Sequence, residues 1–247
     1  MPLDGAPTAA YLIAEMAEKE KLPASSSSAE VEAFLNKVAL TPRRGAAAGR
    51  LIFALDATAS REPTWGRACD IQADMFGETA NLGGLEIQLV YYRGFREFKA
   101  SPWVAEAKEL LKRMTQVACL GGRTQIGRVL KHAIRETRTR KVDALVFVGD
   151  AMEEDIDSLG HLAGQLGLLG LPCFLFHEGQ DSVARRAFEQ IAQLSGGACC
   201  RFDSDSAQQL KDLLSAVAVF AAGGRRALAD YSSKKGGVVR LLTQQIK

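Results

Sequence analysis

Two acidic and three hydroxyl residues are spaced along the chain in a pattern that suits a small, hard cation. Asp56 ends an apolar run, and Thr58 and Ser60 stand two and four positions after it. Thr124 follows a pair of glycines, and Asp150 ends a second apolar run. Oxygen atoms are the ligands that Mg²⁺ and Mn²⁺ prefer. These five residues therefore predict a divalent-cation site, provided that the fold brings the three segments together.

The elements around these residues predict an α/β fold, because apolar runs typical of buried strands alternate with stretches of helical periodicity. The predicted strands span 51–56, 85–93, 96–100, 144–150, 173–177 and 198–202. The predicted helices span 63–76, 104–118, 124–137, 158–169, 183–194 and 206–221. Such alternation predicts a doubly wound, mostly parallel sheet with helices on both faces, a Rossmann-type arrangement of three layers. The hairpin around Gly94 adds one antiparallel edge strand.

In open sheets of this kind, ligands bind at the carboxyl ends of strands, where the strand order reverses. Asp56 and Asp150 both end predicted strands. We therefore expect those two strands to be neighbours at the point of reversal, with both carboxylates at the same edge of the sheet.

Together these residues resemble the von Willebrand factor A (VWA) family and its metal-ion-dependent adhesion site. The family pattern is Asp-x-Ser-x-Ser after the first strand, a Thr in a glycine-rich loop and an Asp after the fourth strand. Asp56, Thr58, Ser60, Thr124 and Asp150 occupy those places in order, and Thr58 departs from the usual Ser while keeping the hydroxyl. The resemblance covers roughly residues 48 to 222.

The resemblance implies a role for each residue. Thr58, Ser60 and Thr124 would coordinate Mg²⁺ or Mn²⁺ directly, and Asp56 and Asp150 would act mostly through bound water. One coordination position would stay open to an acidic residue of a partner protein. The resemblance thus implies a non-enzymatic interaction module, acting as an adaptor or scaffold in an intracellular assembly.

Two other functions remain open from the residues alone. A metal-dependent phosphohydrolase of the haloacid dehalogenase type would have an acid/base Asp where Thr58 stands. No phosphate-binding loop, nucleophile elbow or dinucleotide-binding glycine pattern occurs either. The other alternative is a VWA fold that binds no metal and serves only as structure, with Asp56 and its hydroxyls capping a helix.

The acidic segment 151–157 leaves two interpretations open. Its acids favour the N-terminus of the following helix, or one of them, Glu153, enters the open position of the metal. An acidic rim would repel an acidic partner, so a partner with basic residues around one acid is expected. Arg61, Trp65 and Arg123 are expected near the same rim, since Arg and large aromatics anchor interfaces. For Trp65 a place in the core is an equal alternative.

Three segments are predicted along the chain. Residues 1–47 form an N-terminal helical extension and linker, 48–222 a VWA-like domain, and 223–247 a basic C-terminal tail. Within the extension we expect a helix over 8–21 and a second one that begins at a capping box of Ser27 and Glu30. The basic tail is either solvated or a docking segment for an acidic partner.

Composition excludes several classes of protein. The chain has 247 residues, of which 47% are hydrophobic, and its net charge is +2. This balance gives no field that would favour nucleic acid, and no apolar stretch is long enough to cross a membrane. The N-terminal residues lack the pattern of a secretory signal. The sequence thus predicts no nucleic-acid or membrane partner and a cytoplasmic location.

Overall fold

The computed structural model describes residues 27–40, 48–62, 65–66, 69–70, 84–202 and 207–235. The strands are β1 (Gly49–Asp56), β2 (Leu85–Arg93), β3 (Glu97–Ala100), β4 (Ala144–Gly149), β5 (Cys173–Glu178) and β6 (Ala198–Phe202). The α-helices are α1 (Ser28–Leu40), α2 (Ala107–Met114), α3 (Ile126–Thr139), α4 (Ile156–Leu168), α5 (Ser182–Ser195) and α6 (Ala207–Lys235). A 3-10 turn at Ala59–Arg61 follows β1.

The sheet has the strand order β3-β2-β1-β4-β5-β6. All neighbouring pairs are parallel except β2 and β3, which form the antiparallel edge. The predicted fold class is therefore confirmed. The chain leaves β1 towards β2 on one side and later returns to pair β4 with β1 on the other side. The strand order reverses between β1 and β4, as expected, so their carboxyl ends border the same crevice.

Successive side chains of β1 point to opposite faces of the sheet, and each face packs into its own hydrophobic layer. Leu51, Phe53 and Leu55 belong to the layer that includes buried residues of α1, α2 and α6. Ile52 and Ala54 belong to the layer that includes buried residues of α3, α4 and α5. Burying one Leu or Phe stabilises a protein by about 1.5–3 kcal/mol. These apolar strands therefore contribute a large part of the stability of the core.

The predicted capping box begins α1. The Ser27 backbone N–H donates to Glu30 Oε2 at 2.8 Å, and the Glu30 N–H donates to Ser27 Oγ at 3.3 Å. Phe34 packs against Phe174 and Phe176, with ring centroids 6.0 and 5.5 Å away. The extension is thus joined to the sheet by an aromatic contact. The helix predicted over 8–21, and most of the one over 63–76, lie outside the described residues.

Two helices differ in length from the sequence prediction. Helix α2 begins later than predicted, because Val104 is extended and bridges Ile87 of β2, and it also ends earlier, at Met114. Helix α6 was expected to end near Ala221, yet helical structure continues to Lys235 past a kink at Gly224, where φ is 71°. Buried Leu228 and Tyr231 hold the part after the kink against the core. Among the described helices, none is long and apolar enough to cross a membrane.

Candidate functional site

A pocket of about 210 Å³ lies at the carboxyl ends of β1 and β4. It is lined by oxygen-bearing side chains and by small residues of the surrounding loops. The lining residues are Asp56, Thr58, Ala59, Ser60, Gly121, Gly122, Thr124, Asp150, Ala151 and Glu153. The structure thus brings the five predicted ligands together from three separate segments, and it adds the acid Glu153 to the same wall.

Asp56 lies at the bottom of this pocket and is only 2% exposed. Its Oδ1 accepts a hydrogen bond from the Thr58 backbone N–H at 2.7 Å, and its Oδ2 accepts one from the Tyr92 hydroxyl at 2.9 Å. Burial raises the pKa of Asp56 against the lowering effect of these bonds, and the charge of Asp150 raises it further. The pocket thus holds a carboxylate whose negative charge is only partly compensated.

The three hydroxyls reach the pocket in two different ways. Thr58 Oγ1 and Ser60 Oγ lie 3.4 Å apart, because the 3-10 turn folds the chain back beside Asp56. Thr124 pairs twice with the segment after β4: its Oγ1 accepts from the Glu153 N–H at 3.0 Å, and its N–H donates to Glu153 Oε2 at 3.2 Å. A hydroxyl oxygen has two lone pairs, so Thr124 can accept this bond and still coordinate an ion.

The acids that follow Asp150 are bonded to backbone N–H groups. Glu154 accepts from the N–H groups of Ile126 and Gly127 at the start of α3, the latter at 2.9 Å. Asp155 caps α4 by accepting from the Ser158 N–H at 2.8 Å. The acidic segment therefore serves two helix N-termini rather than one. Whether Glu153 enters an open metal position stays a prediction.

One oxygen of Asp150 is the strongest indication that the pocket suits a cation. Asp150 Oδ1 is buried and has no hydrogen-bond partner among the described residues. A buried carboxylate oxygen without a donor costs free energy, and Asp56 is a second acid in the same pocket. Two acids and three hydroxyls form an oxygen-only set that fits Mg²⁺ or Mn²⁺. In the described parts of the chain no group of three or more His, Cys, Asp or Glu is placed to hold a metal. An ion here would therefore depend on the hydroxyls.

Arg61, which was expected near the rim of the site, is buried beside the pocket. Its side chain is 2% exposed and forms an ion pair with Glu178 at the end of β5. Burial lowers the pKa of Arg61, whereas the charges of Asp150 and Asp56 raise it. The guanidinium thus supplies a fixed positive charge close to the two carboxylates of the pocket.

Of the other two residues expected near the rim, Trp65 lies in the core and Arg123 lies at the surface. Trp65 is buried, donates from Nε1 to the Met114 carbonyl oxygen at 2.9 Å, and packs edge-on against Tyr91. The core alternative for Trp65 is therefore confirmed. Arg123 is exposed, and its backbone N–H donates to the Gly94 carbonyl oxygen at 3.2 Å. Arg123 thus lies where the loop with the glycine pair meets the β2–β3 hairpin.

Gly122 is needed where these two loops touch, and a matched pair of variants tests this. A Cβ at Gly122 would fall 2.0 Å from the Gly94 oxygen, whereas one at Gly121 would meet nothing within 4 Å. We expect Gly122→Ala to lower the free energy of unfolding by about 1–3 kcal/mol, the cost of overpacking. Gly121→Ala should leave it nearly unchanged. Urea unfolding measures both, and equal stabilities would contradict the contact.

Solved structures with the same fold carry the VWA name. The chain matches the VWA domain of SpRpn10 with a TM-score of 0.52 and 14% identity, over 72% of this chain and 97% of that one. A von Willebrand factor type A structure from Catenulispora acidiphila matches with a TM-score of 0.54 and 13% identity, over 70% of this chain and 43% of that one.

A third structure carries a metal at its own site. Proximal thread matrix protein 1 from the mussel byssus, whose MIDAS motif is occupied by zinc, matches with a TM-score of 0.54 and 16% identity, over 70% of this chain and 46% of that one. No protein-family model and no curated protein sequence matches this chain. At sequence identities this low, the matches show that the fold is shared and do not show a shared function.

Proposed function

We propose that this chain, which has the fold of VWA domains, is a non-enzymatic module that binds Mg²⁺ or Mn²⁺ and, through it, an acidic residue of a partner protein. The observation that carries the proposal is the buried Oδ1 of Asp150, which has no hydrogen-bond partner in the described part of the chain and lies in a pocket with Asp56 and three hydroxyls. This combination of residues has its simplest explanation in a cation.

Each residue has a part in this proposal. Thr58, Ser60 and Thr124 offer neutral oxygens to the ion, and Asp56 and Asp150 supply negative charge. Hydroxyls neutralise little of the charge of a cation, so the ion would keep its attraction for an outside carboxylate. That attraction is the chemistry that the bound cation supplies. The adaptor or scaffold role would follow from it, because affinity for a partner would then depend on the cation.

The chemistry of the lining supports binding rather than catalysis. None of the described residues around the pocket is His, Cys or Lys. Asp56 has both oxygens engaged, Glu153 is bonded to the Thr124 N–H, and the Asp150 oxygen that has no partner among the described residues is assigned to the cation. A general acid or base needs a side chain that is available to exchange a proton with a substrate. We therefore place the phosphohydrolase alternative second, and hydrolysis of a generic phosphate ester by the purified protein would overturn this order.

Calorimetric titration with Mn²⁺ or Mg²⁺ tests the cation, and affinity capture with and without chelator tests the partner. Ser60→Ala is the suitable variant, because Ser60 is exposed and its hydroxyl contacts only Thr58 among the described residues. Thr124→Ala is less clean, since it also removes the acceptor of the Glu153 N–H. We expect Ser60→Ala to weaken cation binding and the capture that depends on it. Capture that is equal in chelator and in Mg²⁺ would contradict the proposal.

The fold is expected to survive removal of the cation. Its strands are apolar and buried along their length, as in β1 and β4. A cation present at a hundredfold excess over its dissociation constant adds only about 2.7 kcal/mol to the free energy of unfolding. Thermal melts in chelator should therefore shift by a few degrees and remain cooperative. Loss of the folded state in chelator would show instead that the cation is structural.

A further inference from the structure

Two exposed apolar side chains stand beside the pocket. Phe95, in the turn between β2 and β3, is 76% exposed, and Leu120, just before the glycine pair, is 47% exposed. The Gly94 N–H donates to the Leu120 carbonyl oxygen at 3.4 Å, so the backbone joins the two positions. Gly121 and Gly122 line the pocket directly after Leu120. The apolar pair of Phe95 and Leu120 therefore borders the proposed cation site.

The loops that carry this pair are held in place from several sides. The Leu120 N–H donates to the Ala57 carbonyl oxygen at 3.0 Å, directly after β1. The hairpin is closed by an ion pair between Arg93 and Glu97, with Nε 2.9 Å from Oε2. Single exposed apolar residues are common, but two of them on well-anchored loops beside a ligand site are suited to binding a partner. Because these loops are already held in place, they would lose little conformational entropy when a partner binds.

The charges around the apolar pair favour an acidic partner. Arg96 and Arg123 are exposed on the two loops that meet there. The nearby acids Glu153, Glu154 and Asp155 all accept hydrogen bonds from backbone N–H groups, which offsets part of their charge. Two exposed arginines therefore lie on the loops that carry the apolar pair, where they can attract further acids of a partner. This differs from the sequence expectation of a partner with basic residues around its acid.

Resting on the function proposed above, we infer that the partner is a protein segment with a large apolar side chain next to its acidic residue. The acid reaches the cation, the apolar side chain packs on Phe95 and Leu120, and further acids face Arg96 and Arg123. The basic tail of this chain is a poor occupant, because 223–247 contains six basic residues and one acid.

A displayed library of random peptides tests this inference on the full chain in Mg²⁺. We expect the selected peptides to share an Asp or Glu within a few residues of a Leu, Phe, Tyr or Trp. One such peptide, resynthesised with a fluorophore, is then titrated with wild type, Phe95→Ser and Leu168→Ser. Leu168 is the matched control, because it is 91% exposed at the end of α4, which runs away from the pocket. Phe95→Ser should weaken binding about tenfold or more, as expected of an interface anchor, and Leu168→Ser should not.

The outcomes separate this inference from the function on which it rests. Binding that needs Mg²⁺ but is equal in Phe95→Ser overturns the apolar contact and leaves the proposed function standing. Binding that is lost in Phe95→Ser but unaffected by chelator overturns the cation-dependent function. Selection of peptides without the acid–apolar pairing, or of none, overturns the inference. Self-association of wild type that Phe95→Ser abolishes would assign the surface to a second copy, and would overturn it too.

Discussion

Asp56→Asn is expected to abolish cation binding and, in the same protein, to stabilise the cation-free form. Asp56 is 2% exposed, and burial raises its pKa, with a contribution from the charge of Asp150. The ionised side chain is thus less favourable in the folded state than in the unfolded one. Asn removes the charge but can still accept a bond from the Thr58 N–H. The gain in the free energy of unfolding should be of order 1 kcal/mol, the scale of many single substitutions.

The pH dependence gives this prediction a definite sign. Because the pKa of Asp56 is raised in the folded state, the folded protein binds its proton more tightly than the unfolded chain does. In chelator, wild type should therefore lose stability as the pH rises from the unfolded pKa of an Asp through the higher folded one. Asp56→Asn should lack this component of the pH dependence. Its advantage over wild type should thus be present at neutral pH and vanish in acid.

Calorimetry with Mn²⁺ measures the loss of cation binding, and urea unfolding in chelator measures the gain in stability of the cation-free form. Asp155→Asn is the matched control, because Asp155 is an exposed cap of α4 and Asn caps a helix about as well. Asp155→Asn should bind the cation like wild type and unfold at nearly the same urea concentration. Undiminished cation binding by Asp56→Asn would place the ion elsewhere. A cation-free Asp56→Asn protein less stable than wild type would show that its two hydrogen bonds outweigh the cost of its charge.

The positions of the two pocket acids, Asp56 and Asp150, were predictable because the rule that brings them together is local. A polar residue that ends a buried parallel strand must lie at the carboxyl edge of the sheet. The local sequence around Asp56 and around Asp150 was therefore enough to place both residues at one edge of the sheet. Only the pairing of β1 with β4 had to be inferred. The glycine pair before Thr124 marked a loop in the same way. Strand ends thus sufficed for Asp56 and Asp150, whereas Thr124 was assigned to the same site by the resemblance to the VWA pattern.

What sequence reasoning missed depends on pairing between distant strands. Tyr92 lies in an apolar strand and has no sequence feature that marks it as part of the site. It lies opposite Asp56 only because of the register in which β2 pairs with β1. Glu178 lies on β5, two strands away from β1, so nothing near Arg61 in the sequence revealed its partner. Arg61 was therefore expected only near the rim of the site, without a partner in the sheet. In α6 the glycines at 223 and 224 suggested an end, but tertiary contacts of Leu228 and Tyr231 carry helical structure beyond them.

Replacing Arg61 alone is expected to cause the largest loss of stability among these variants. Arg61→Met removes the buried guanidinium that forms the ion pair with Glu178 and that lies close to the charges of Asp56 and Asp150. Breaking one side of a buried ion pair typically costs about 3–5 kcal/mol. Urea unfolding in chelator should therefore show a much lower midpoint for Arg61→Met than for wild type. Added Mg²⁺ should restore part of the difference, because the cation would replace some of the missing positive charge.

The double variant Arg61→Met, Glu178→Gln separates the ion pair from the pocket. It removes the charge of Glu178 together with that of Arg61, so it should recover most of the lost stability, as buried pairs often tolerate joint replacement. It still lacks the positive charge that interacts with the two carboxylates, so it should bind Mg²⁺ more tightly than wild type does. Binding equal to wild type would show that Arg61 serves only the core. Tighter binding would mean that Arg61 compensates the acids when no cation is present, which lets the empty pocket stay folded and keeps the cation exchangeable.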